Sequence, residues 1–338
     1  MSSAELYRQL GVDLQAAESA KQQIARAVES TRTALARGSV GDFGGMVRLP
    51  EDVPDPVLVM STDGVGTKVL VAIRAGRHDT IGEDLVNHCV NDILVHGARP
   101  LSFQDYIAGN SVEPTTTSTV VDGIARACSA HEMVLTGGET AQLPDLYRPG
   151  HYDLAGTIVG VVSEDQAIYG ERIKPGDLLV AYESNGLHTN GYTLARSVVF
   201  DTLGLDVDAM FPGTQETVAE VLLKVHHSYY SQIVPVLRKV HGIAHVTGGG
   251  IKGNLSRIVP SGCGARVDLS TWEPDNIFTA LRDAGSISSD EMYAVFNMGV
   301  GMIAVVSRGE ADSIMAAASP IRAWVMGEVV AGDGVVLE

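Results

Sequence analysis

Short segments that combine an acid with glycines directly after an apolar run are the first candidates for chemistry. One of them is "STDGVGTK", residues 61–68, which follows the apolar run "PVLVM". A surface turn is one interpretation, because Asp-Gly is common turn chemistry and glycine relieves strain at positive φ. The other is a ligand site, in which glycines let oxygens approach backbone N–H groups. The residues of interest are Asp63, Gly64, Gly66, Thr67 and Lys68.

A second group of polar residues lies on a predicted helix, "GEDLVNHCVNDILVHGA". Asp84, His88, Asn91 and Asp92 fall at i, i+4, i+7 and i+8, which is one stripe of a helix that is apolar on most other sides. If the stripe faces bulk water, this is an ordinary amphipathic helix. If it faces a cleft, Asn91 and Asp92 are placed to contact a ligand.

The segment "MVLTGGETAQLPDLY" repeats the order of apolar strand, paired glycines, acid and hydroxyl, here Gly137, Gly138, Glu139 and Thr140. Ligands of α/β sheets bind where strands end, so the recurrence favours a ligand site over unrelated surface turns. Asp105, in the strand "LSFQDYIA" between the two clusters, shares a face with apolar residues. We expect it to have a partner there, because an unpaired buried charge is costly.

Two segments of the second half run from an apolar strand through glycines into a helix start. In "SNGLHTNGYTLAR", Asn190 is predicted to be the N-cap, and His188 lies beside a helix start, which is an anion site. His188 is equally well explained as a loop histidine with satisfied hydrogen bonds. In "HVTGGGIKGNLSRIVP", the glycines include Gly248 and Gly249.

The second of these segments matches G-x-G-x-x-G through Gly248, Gly250 and Gly253, with Asp268 at the distance of a ribose-binding acid. An NAD-dependent oxidoreductase is therefore an alternative. The interval before Asp268 leaves room for only a very short helix, which argues against a dinucleotide fold. The chain also lacks G-x-x-x-x-G-K-[ST], which disfavours a P-loop enzyme.

Composition predicts a two-domain α/β protein. The chain has 338 residues, 45% of them hydrophobic, and 37 glycines. The segment "YGERIKPGD" reads as a linker, so we expect an N-terminal domain over residues 1–170 and a C-terminal domain over residues 171–338. No signal peptide or membrane span is recognisable, which predicts a cytoplasmic protein.

Charge and cysteine content narrow the class of partner. The net charge of −17 disfavours nucleic acid and anionic membranes, both of which require a basic face. A small anionic ligand would be held locally, by backbone N–H groups, a few basic side chains or a divalent cation. Three widely spaced cysteines predict neither a disulfide framework nor a metal site.

Taken together, these clusters resemble the phosphoribosylformylglycinamidine cyclo-ligase family, the aminoimidazole ribonucleotide synthetases of purine biosynthesis. The resemblance covers nearly the whole chain in order, including "YRQLGVDL" near its start. Departures are small, such as Thr189 where the family more often has Ser. The motifs that carry it are "STDGVGTK", "HDTIGEDLVNHCVNDILVHGARPLSFQDYIA", "LTGGETAQLPDLY", "YDLAGTIVGVV", "SNGLHTNGYTLAR", "HVTGGGIKGNLSRIVP" and "MYAVFNMGVGMIAVV".

The resemblance implies a fold of two mixed α/β (α+β) domains, a homodimer formed through the N-terminal sheets, and a small-molecule nucleotide substrate. The implied reaction is ATP-dependent ring closure of formylglycinamidine ribonucleotide to aminoimidazole ribonucleotide, with phosphorylation of the formyl amide oxygen. Such a phosphoryl transfer needs positioning and charge neutralisation more than a nucleophilic side chain.

The same resemblance assigns roles to the motif residues. Asp63, Asp92 and Glu139 are the expected Mg²⁺ ligands, because Mg²⁺ prefers oxygen ligands. His188, Asp92 and Lys68 are the expected catalytic residues, with Lys68 neutralising a phosphate and His188 donating a hydrogen bond or shuttling a proton. The residues expected to contact ATP and its phosphates are Asp63, Gly64, Gly66, Thr67, Lys68, Asn91, Gly137, Gly138, Glu139, Asn190, Gly248 and Gly249.

Other classes of protein stay open at this point. Another ATP-using member of the same superfamily, such as a thiamine-monophosphate kinase, is the nearest. A non-catalytic nucleotide-binding protein is the alternative outside enzymes, although such a protein is expected to have lost one of the acids.

Overall fold

The computed structural model describes residues 14–111 and 113–338, so most of the "YRQLGVDL" segment lies outside the described residues. The chain divides into two compact units. The first contains the described residues up to Ile93 together with Arg99–Ser163, and the second contains Leu94–Ala98 and Glu164–Glu338. The predicted division after residue 170 stays a prediction about how the chain is organised.

The first unit is built on a four-stranded sheet in the order β3-β6-β4-β5. Strand β6 is antiparallel to both of its neighbours, and β4 and β5 are parallel. Two further strands, β1 and β2, pair with each other. The strands are β1 (Ala36–Arg37), β2 (Met46–Val47), β3 (Pro56–Gly64), β4 (Arg99–Gly109), β5 (Val134–Gln142) and β6 (Tyr152–Ser163).

The helices of the first unit are α1 (Leu14–Ser30), α2 (Val69–Ala75), α3 (Ile81–Leu94) and α4 (Pro114–Ala130). Helix α3 packs on the sheet where Gly156 of β6 leaves room, since a Cβ there would collide with Phe103 and come within 3.1 Å of Leu85. Buried apolar residues of α3 therefore form the core with one face of the sheet. The opposite face carries exposed apolar side chains, among them Met60 and Tyr106.

The second unit is built on a six-stranded sheet in the order β12-β9-β11-β7-β10-β8. Its neighbouring strands are antiparallel except for β12 and β9, which are parallel. The strands are β7 (Leu178–Glu183), β8 (Val240–His245), β9 (Cys263–Val267), β10 (Val300–Val306), β11 (Ala323–Ala331) and β12 (Gly334–Leu337).

Helices cover both faces of this second sheet. Ile251 and Leu255 of α8 belong to the apolar cluster on one face, and Ile233 of α7 and Ile314 of α11 belong to the cluster on the other. The central strands β7 and β10 are accordingly apolar at nearly every position. The helices are α5 (Tyr192–Arg196), α6 (Val218–Leu222), α7 (Tyr230–Ile233), α8 (Gly250–Leu255), α9 (Asn276–Gly285), α10 (Ser289–Val295) and α11 (Ala311–Ala317).

The expected fold class, two mixed α/β domains, is confirmed. Among the described residues, no helix combines the length and the apolar character needed to cross a membrane.

Candidate functional site

Two of the three predicted metal-binding acids meet at the end of β3. The Asp63 carboxylate accepts a hydrogen bond from His88 Nε2 at 2.7 Å, and Asp92 Oδ2 lies 3.8 Å from the same nitrogen. The Ser61 hydroxyl donates to Asp92 Oδ2 at 2.9 Å. Strand β3 and helix α3 thus bring two carboxylates to one imidazole, and the Asp63 side chain keeps 46% of its surface exposed.

The charges of this group stabilise one another. Burial alone would lower the pKa of His88, but the hydrogen bond to Asp63 and the charges of Asp92 and Asp63 outweigh it, so the pKa lies above its usual value. Burial would raise the pKa of Asp63, yet the His88 hydrogen bond and charge hold it below its usual value. The site therefore favours a protonated His88 between two carboxylates. Binding of a cation to Asp63 would compete with that imidazolium.

The loop after Asp63 leaves the sheet through a tight helical turn. Gly64 ends β3, residues 66–68 form one turn of 3-10 helix, and α2 follows at Val69. Gly66 has φ +62°, a conformation that favours glycine, and Gly66 is exposed. Backbone at the predicted phosphate-binding positions Gly66 and Thr67 is therefore accessible.

Lys68 does not occupy the exposed position expected of a phosphate-binding lysine. Its Nζ lies 2.8 Å from Asp84 Oδ1, and both side chains are fully buried. Burial lowers the pKa of Lys68, opposed by the Asp84 charge. Nor does the stripe of α3 face bulk water, since Asp84, His88 and Asn91 are all buried. The structure thus places Lys68 in a buried ion pair and Asn91 beneath the surface, and the roles expected of both stay predictions.

Glu139, the third predicted metal ligand, lies apart from the other two acids. The sheet register aligns Asp63 with Gly156, Gly156 with Asp105, and Asp105 with Gly138. Three strand spacings of about 4.8 Å put the Asp63 and Gly138 backbones roughly 14 Å apart. Glu139 also pairs with exposed Tyr106 and so belongs to the open face, whereas Asp63 contacts helix α3.

The two glycines before Glu139 are favoured at their positions for different structural reasons. Gly137 has φ +121°, and a Cβ on Gly138 would meet the backbone and carboxylate of Asp105. Asp105 itself has no ion-pair partner within the described part of the chain, contrary to expectation. Burial instead raises its pKa to about 7.

In the second unit, His188 is held in a left-handed backbone conformation. Its φ is +59°, which is uncommon for a residue with a side chain, and its side chain is buried. Its ring stacks on that of His226, with centroids 4.0 Å apart and planes inclined by 19°. Residues held in sparsely populated backbone conformations cluster at functional sites, and histidine is one of the side chains that enter the left-handed region more often than most.

The helix start beside His188 differs from the prediction. The N-cap of α5 is Gly191, at φ +77°, and not Asn190, and no side chain caps the helix. A Cβ on Gly191 would collide with Phe296, so close packing determines the residue at this corner. The glycines before α8 are arranged similarly: Gly249 is the N-cap at φ +92°, and both it and Gly248 are exposed.

The literal dinucleotide match has no dinucleotide fold around it. Helix α8 has six residues, and the strands on either side of it, β8 and β9, are not neighbours in the sheet. Asp268 instead accepts a hydrogen bond from the backbone N–H of Ser270. A parallel βαβ unit is thus missing where the motif requires one.

Sequence reasoning did not single out Ser61, His226 or His245 as partners of site residues. His226 Nε2 lies 3.2 Å from His245 Nε2, and its Nδ1 lies 3.3 Å from Thr189 Oγ1. These residues are distant along the chain, and the adjacent pair His226 and His227 is the only local signal. Nothing in their spacing predicts the contact.

The comparisons agree with this architecture. Residues 41–162 match the family "AIR synthase related protein, N-terminal domain", and residues 174–338 match "AIR synthase related protein, C-terminal domain". A solved thiamine-monophosphate kinase from Stenotrophomonas maltophilia has a TM-score of 0.68 at 15% identity, covering 94% of this chain and 96% of that one. Hydrogenase maturation protein HypE in complex with ATP has a TM-score of 0.61 at 18% identity, covering 92% and 88%. At these identities the likeness concerns the fold.

Fold and domains together define an AIR synthase related protein. Curated relatives of higher sequence identity show which family within this class the chain belongs to. The phosphoribosylformylglycinamidine cyclo-ligase of Trichlorobacter lovleyi is 44% identical over 96% of this chain and 94% of its own. That of Pseudothermotoga lettingae is 43% identical over 98% and 99%. The chain belongs to the phosphoribosylformylglycinamidine cyclo-ligase family.

Proposed function

We propose that the protein uses ATP to close the imidazole ring of formylglycinamidine ribonucleotide, giving aminoimidazole ribonucleotide, ADP and phosphate. The observation that carries the proposal is the pair of accessible carboxylates, Asp63 and Asp92, at a glycine turn of a chain that belongs to this ligase family. Similarity to the thiamine-monophosphate kinase concerns the fold alone and supports no second activity.

The chemistry follows from the poor reactivity of an amide. The formyl amide oxygen attacks the γ-phosphorus of ATP, a P–O bond forms, and ADP leaves. The amidine nitrogen then attacks the activated carbon, the C–O bond breaks with release of phosphate, and a proton is lost from nitrogen. Phosphorylation thus converts an amide oxygen, which is a poor leaving group, into phosphate, which is a good one.

The donor set at Asp63 and Asp92 fits a magnesium ion. Both side chains offer carboxylate oxygens, the ligands that Mg²⁺ prefers, and both are partly exposed. When bound, Mg²⁺ neutralises phosphate charge. His88 and Ser61 would orient the two carboxylates through the hydrogen bonds described above. Because Glu139 lies on the other face of the sheet, we do not assign it to the same ion.

The remaining assignments rest on where each residue lies. The backbone N–H groups of Gly66 and Thr67 would donate to phosphate oxygens beside the acids, whereas the Gly64 N–H already donates to Asp63 Oδ1 at 2.6 Å. Lys68 and Asn91, being buried, would support α3 from beneath and not touch phosphate directly. Exposed Gly248 and Gly249 in the second unit are assigned to phosphate contact. His188 is nearly fully buried, so its assignment to binding the substrate or holding its proton rests on its left-handed backbone and its place in the family motif, not on exposure.

A homodimer would explain the open face of the first sheet. Met60, Val159 and Ser102 are aligned across three strands, with Thr62, Thr157 and Gln104 in the next row. Met60 is 65% exposed and Leu58 and Tyr106 are also exposed, which is an unusual concentration of apolar surface for a monomer. A second copy would bury it. We also infer the cytoplasmic location that the sequence predicts.

Product formation tests the proposal. Purified protein is supplied with Mg·ATP and formylglycinamidine ribonucleotide, and aminoimidazole ribonucleotide and ADP are measured. We expect the two products in equal amounts. Folded protein that binds ATP yet forms no aminoimidazole ribonucleotide would contradict the assignment, and calorimetric binding of NAD in place of Mg·ATP would revive the oxidoreductase.

A further inference from the structure

A cluster of aromatic side chains surrounds His188 inside the second unit. The rings of His188 and His226 are nearly parallel, at an angle of 19°, with centroids 4.0 Å apart. His226 is fully buried and His188 nearly so. One whole face of the His188 imidazole is therefore covered by another imidazole. His188 makes this contact from a left-handed backbone conformation, at φ +59°.

His226 is itself held by hydrogen-bonding distances at both ring nitrogens. Nδ1 lies 3.3 Å from Thr189 Oγ1, and Nε2 lies 3.2 Å from Nε2 of His245. A neutral imidazole has one N–H donor and one acceptor nitrogen, so the two contacts constrain each other. If His226 Nε2 donates to His245, its Nδ1 accepts from Thr189; in the other tautomer both directions reverse. The orientation of the His226 ring is fixed in either case.

The backbone of β10 and the ring of Tyr229 border the same cluster. A Cβ on Gly301 would collide with the Tyr229 hydroxyl and with Cε1 of His188. Tyr229 donates its hydroxyl to the Glu183 carbonyl at 2.9 Å, and its ring centroid lies 6.1 Å from that of His188. Three neighbours from two segments, His226 and Tyr229 in one and Gly301 in the other, thus limit how the His188 ring can turn.

We propose that His226 is a positioning residue for His188: it covers one face of the imidazole and, anchored by Thr189 and His245, holds the ring in the orientation that the reaction uses. This inference rests on the proposed function, in which His188 contacts the substrate or holds its proton. His226 acts through His188 and contacts no reacting atom. Stacking provides the restraint, and the hydrogen bonds keep the stacking partner in place.

Variants at position 226 separate stacking from hydrogen bonding. His226→Ala removes both, and we expect kcat to fall about tenfold, with the KM for ATP within about twofold of wild type. His226→Phe keeps a flat ring against His188 and should restore kcat to within about threefold. His226→Asn keeps polar atoms without the ring and should stay near the level of His226→Ala. His241→Ala, which removes a partly exposed histidine paired with Asp177 in the same unit, is the matched control.

A double-mutant cycle identifies the route of the effect. If His226 acts through His188, adding His226→Ala to His188→Ala lowers kcat no further, because the ring to be positioned is gone. Thermal unfolding of each variant checks that the fold is retained. Should His226→Ala fail to fold, the same cycle is run with His226→Asn, which also lacks the ring.

The outcomes distinguish failure of the positioning role from failure of the proposed function. Wild-type protein that forms no aminoimidazole ribonucleotide overturns the proposed function, and the inference with it. If the wild-type protein is active, three results overturn only the positioning role. These are additive losses in the cycle, a His188→Ala variant with undiminished kcat, and a His226→Phe variant with a kcat no higher than that of His226→Asn. Non-additive losses together with rescue by phenylalanine support it.

Discussion

Lys68 and Asp84 form a fully buried ion pair between the glycine turn after β3 and helix α3, with Nζ 2.8 Å from Oδ1. The turn "STDGVGTK" is therefore attached to the helix that carries His88 and Asp92. Such a buried pair adds little net stability, because desolvation of both charges opposes their attraction, whereas loss of one partner is costly.

Removing one partner of this pair should destabilise the fold. Lys68→Met leaves the Asp84 carboxylate buried without its cation, and we expect the free energy of unfolding to fall by about 3–5 kcal/mol. Denaturant unfolding measures the loss. Lys239→Met, which breaks the exposed pair with Glu310, is the control and should cost less than about 1 kcal/mol. If Lys68→Met is as stable as wild type but has a raised KM for ATP, Lys68 contacts the phosphates of ATP instead.

Asp92→Asn tests the acid pair directly. The amide keeps an oxygen that can accept from Ser61, so the fold is expected to survive. Loss of the charge should lower kcat by at least about a hundredfold, as removal of a charge-stabilising group does. Steady-state kinetics at saturating Mg²⁺ measure it, with Asp122→Asn on the exposed surface of α4 as the control. A kcat close to wild type would leave Asp92 without a catalytic role.

Asp105 should make the protein less stable as the pH rises through the acidic range. Its pKa is about 7 in the folded chain against a reference of 3.8, so the folded state binds more protons between these values. The stability present near pH 4 is then lost up to pH 7 and changes no further above it. Asp105→Asn should remove this fall and raise the free energy of unfolding at pH 8, by at most about 4 kcal/mol.

Denaturant unfolding of wild type and Asp105→Asn between pH 4 and pH 8 checks this behaviour. Asp153→Asn, at an exposed position of β6, supplies the control for loss of a charge in the same sheet. Parallel pH profiles for wild type and Asp105→Asn would show that Asp105 is ionised normally in the folded chain.

The proposed homodimer predicts that a charge on the open face of the first sheet separates two copies of the chain. Met60→Asp places a charge in the middle of that face, and we expect monomers at concentrations where wild type sediments as a dimer. Met210→Asp, at a comparably exposed methionine of the second unit, should leave the dimer intact. Sedimentation velocity distinguishes the species. If the Met60→Asp variant is still a dimer, the interface does not lie on the open face of the first sheet.

Local patterns predicted which elements carry the site, but not how far each side chain projects into it. The turn after β3 and the stripe of α3 are visible in the sequence because periodicity and glycine placement are local. Whether Lys68 faces solvent depends on Asp84, 16 residues away and brought against it by packing. Helical spacing cannot tell a buried ionic contact from a ligand-facing one.

Long-range contacts account for the rest of what the sequence did not predict. Asp63 and Glu139 follow similar strand-and-glycine patterns, yet strand order and side-chain alternation place them on different strands and faces. His226 meets His188 and His245 only after three segments have folded together. The N-cap assignment to Asn190 was wrong because packing against Phe296 requires glycine one residue later.

The route of the formyl oxygen tests the central claim most directly. Formylglycinamidine ribonucleotide labelled with ¹⁸O at the formyl amide is converted with Mg·ATP, and the released phosphate is analysed by mass spectrometry. If the amide oxygen attacks the γ-phosphorus and leaves as phosphate, each phosphate formed carries one ¹⁸O atom. Label found in water, with unlabelled phosphate, would contradict the phosphorylated-amide route.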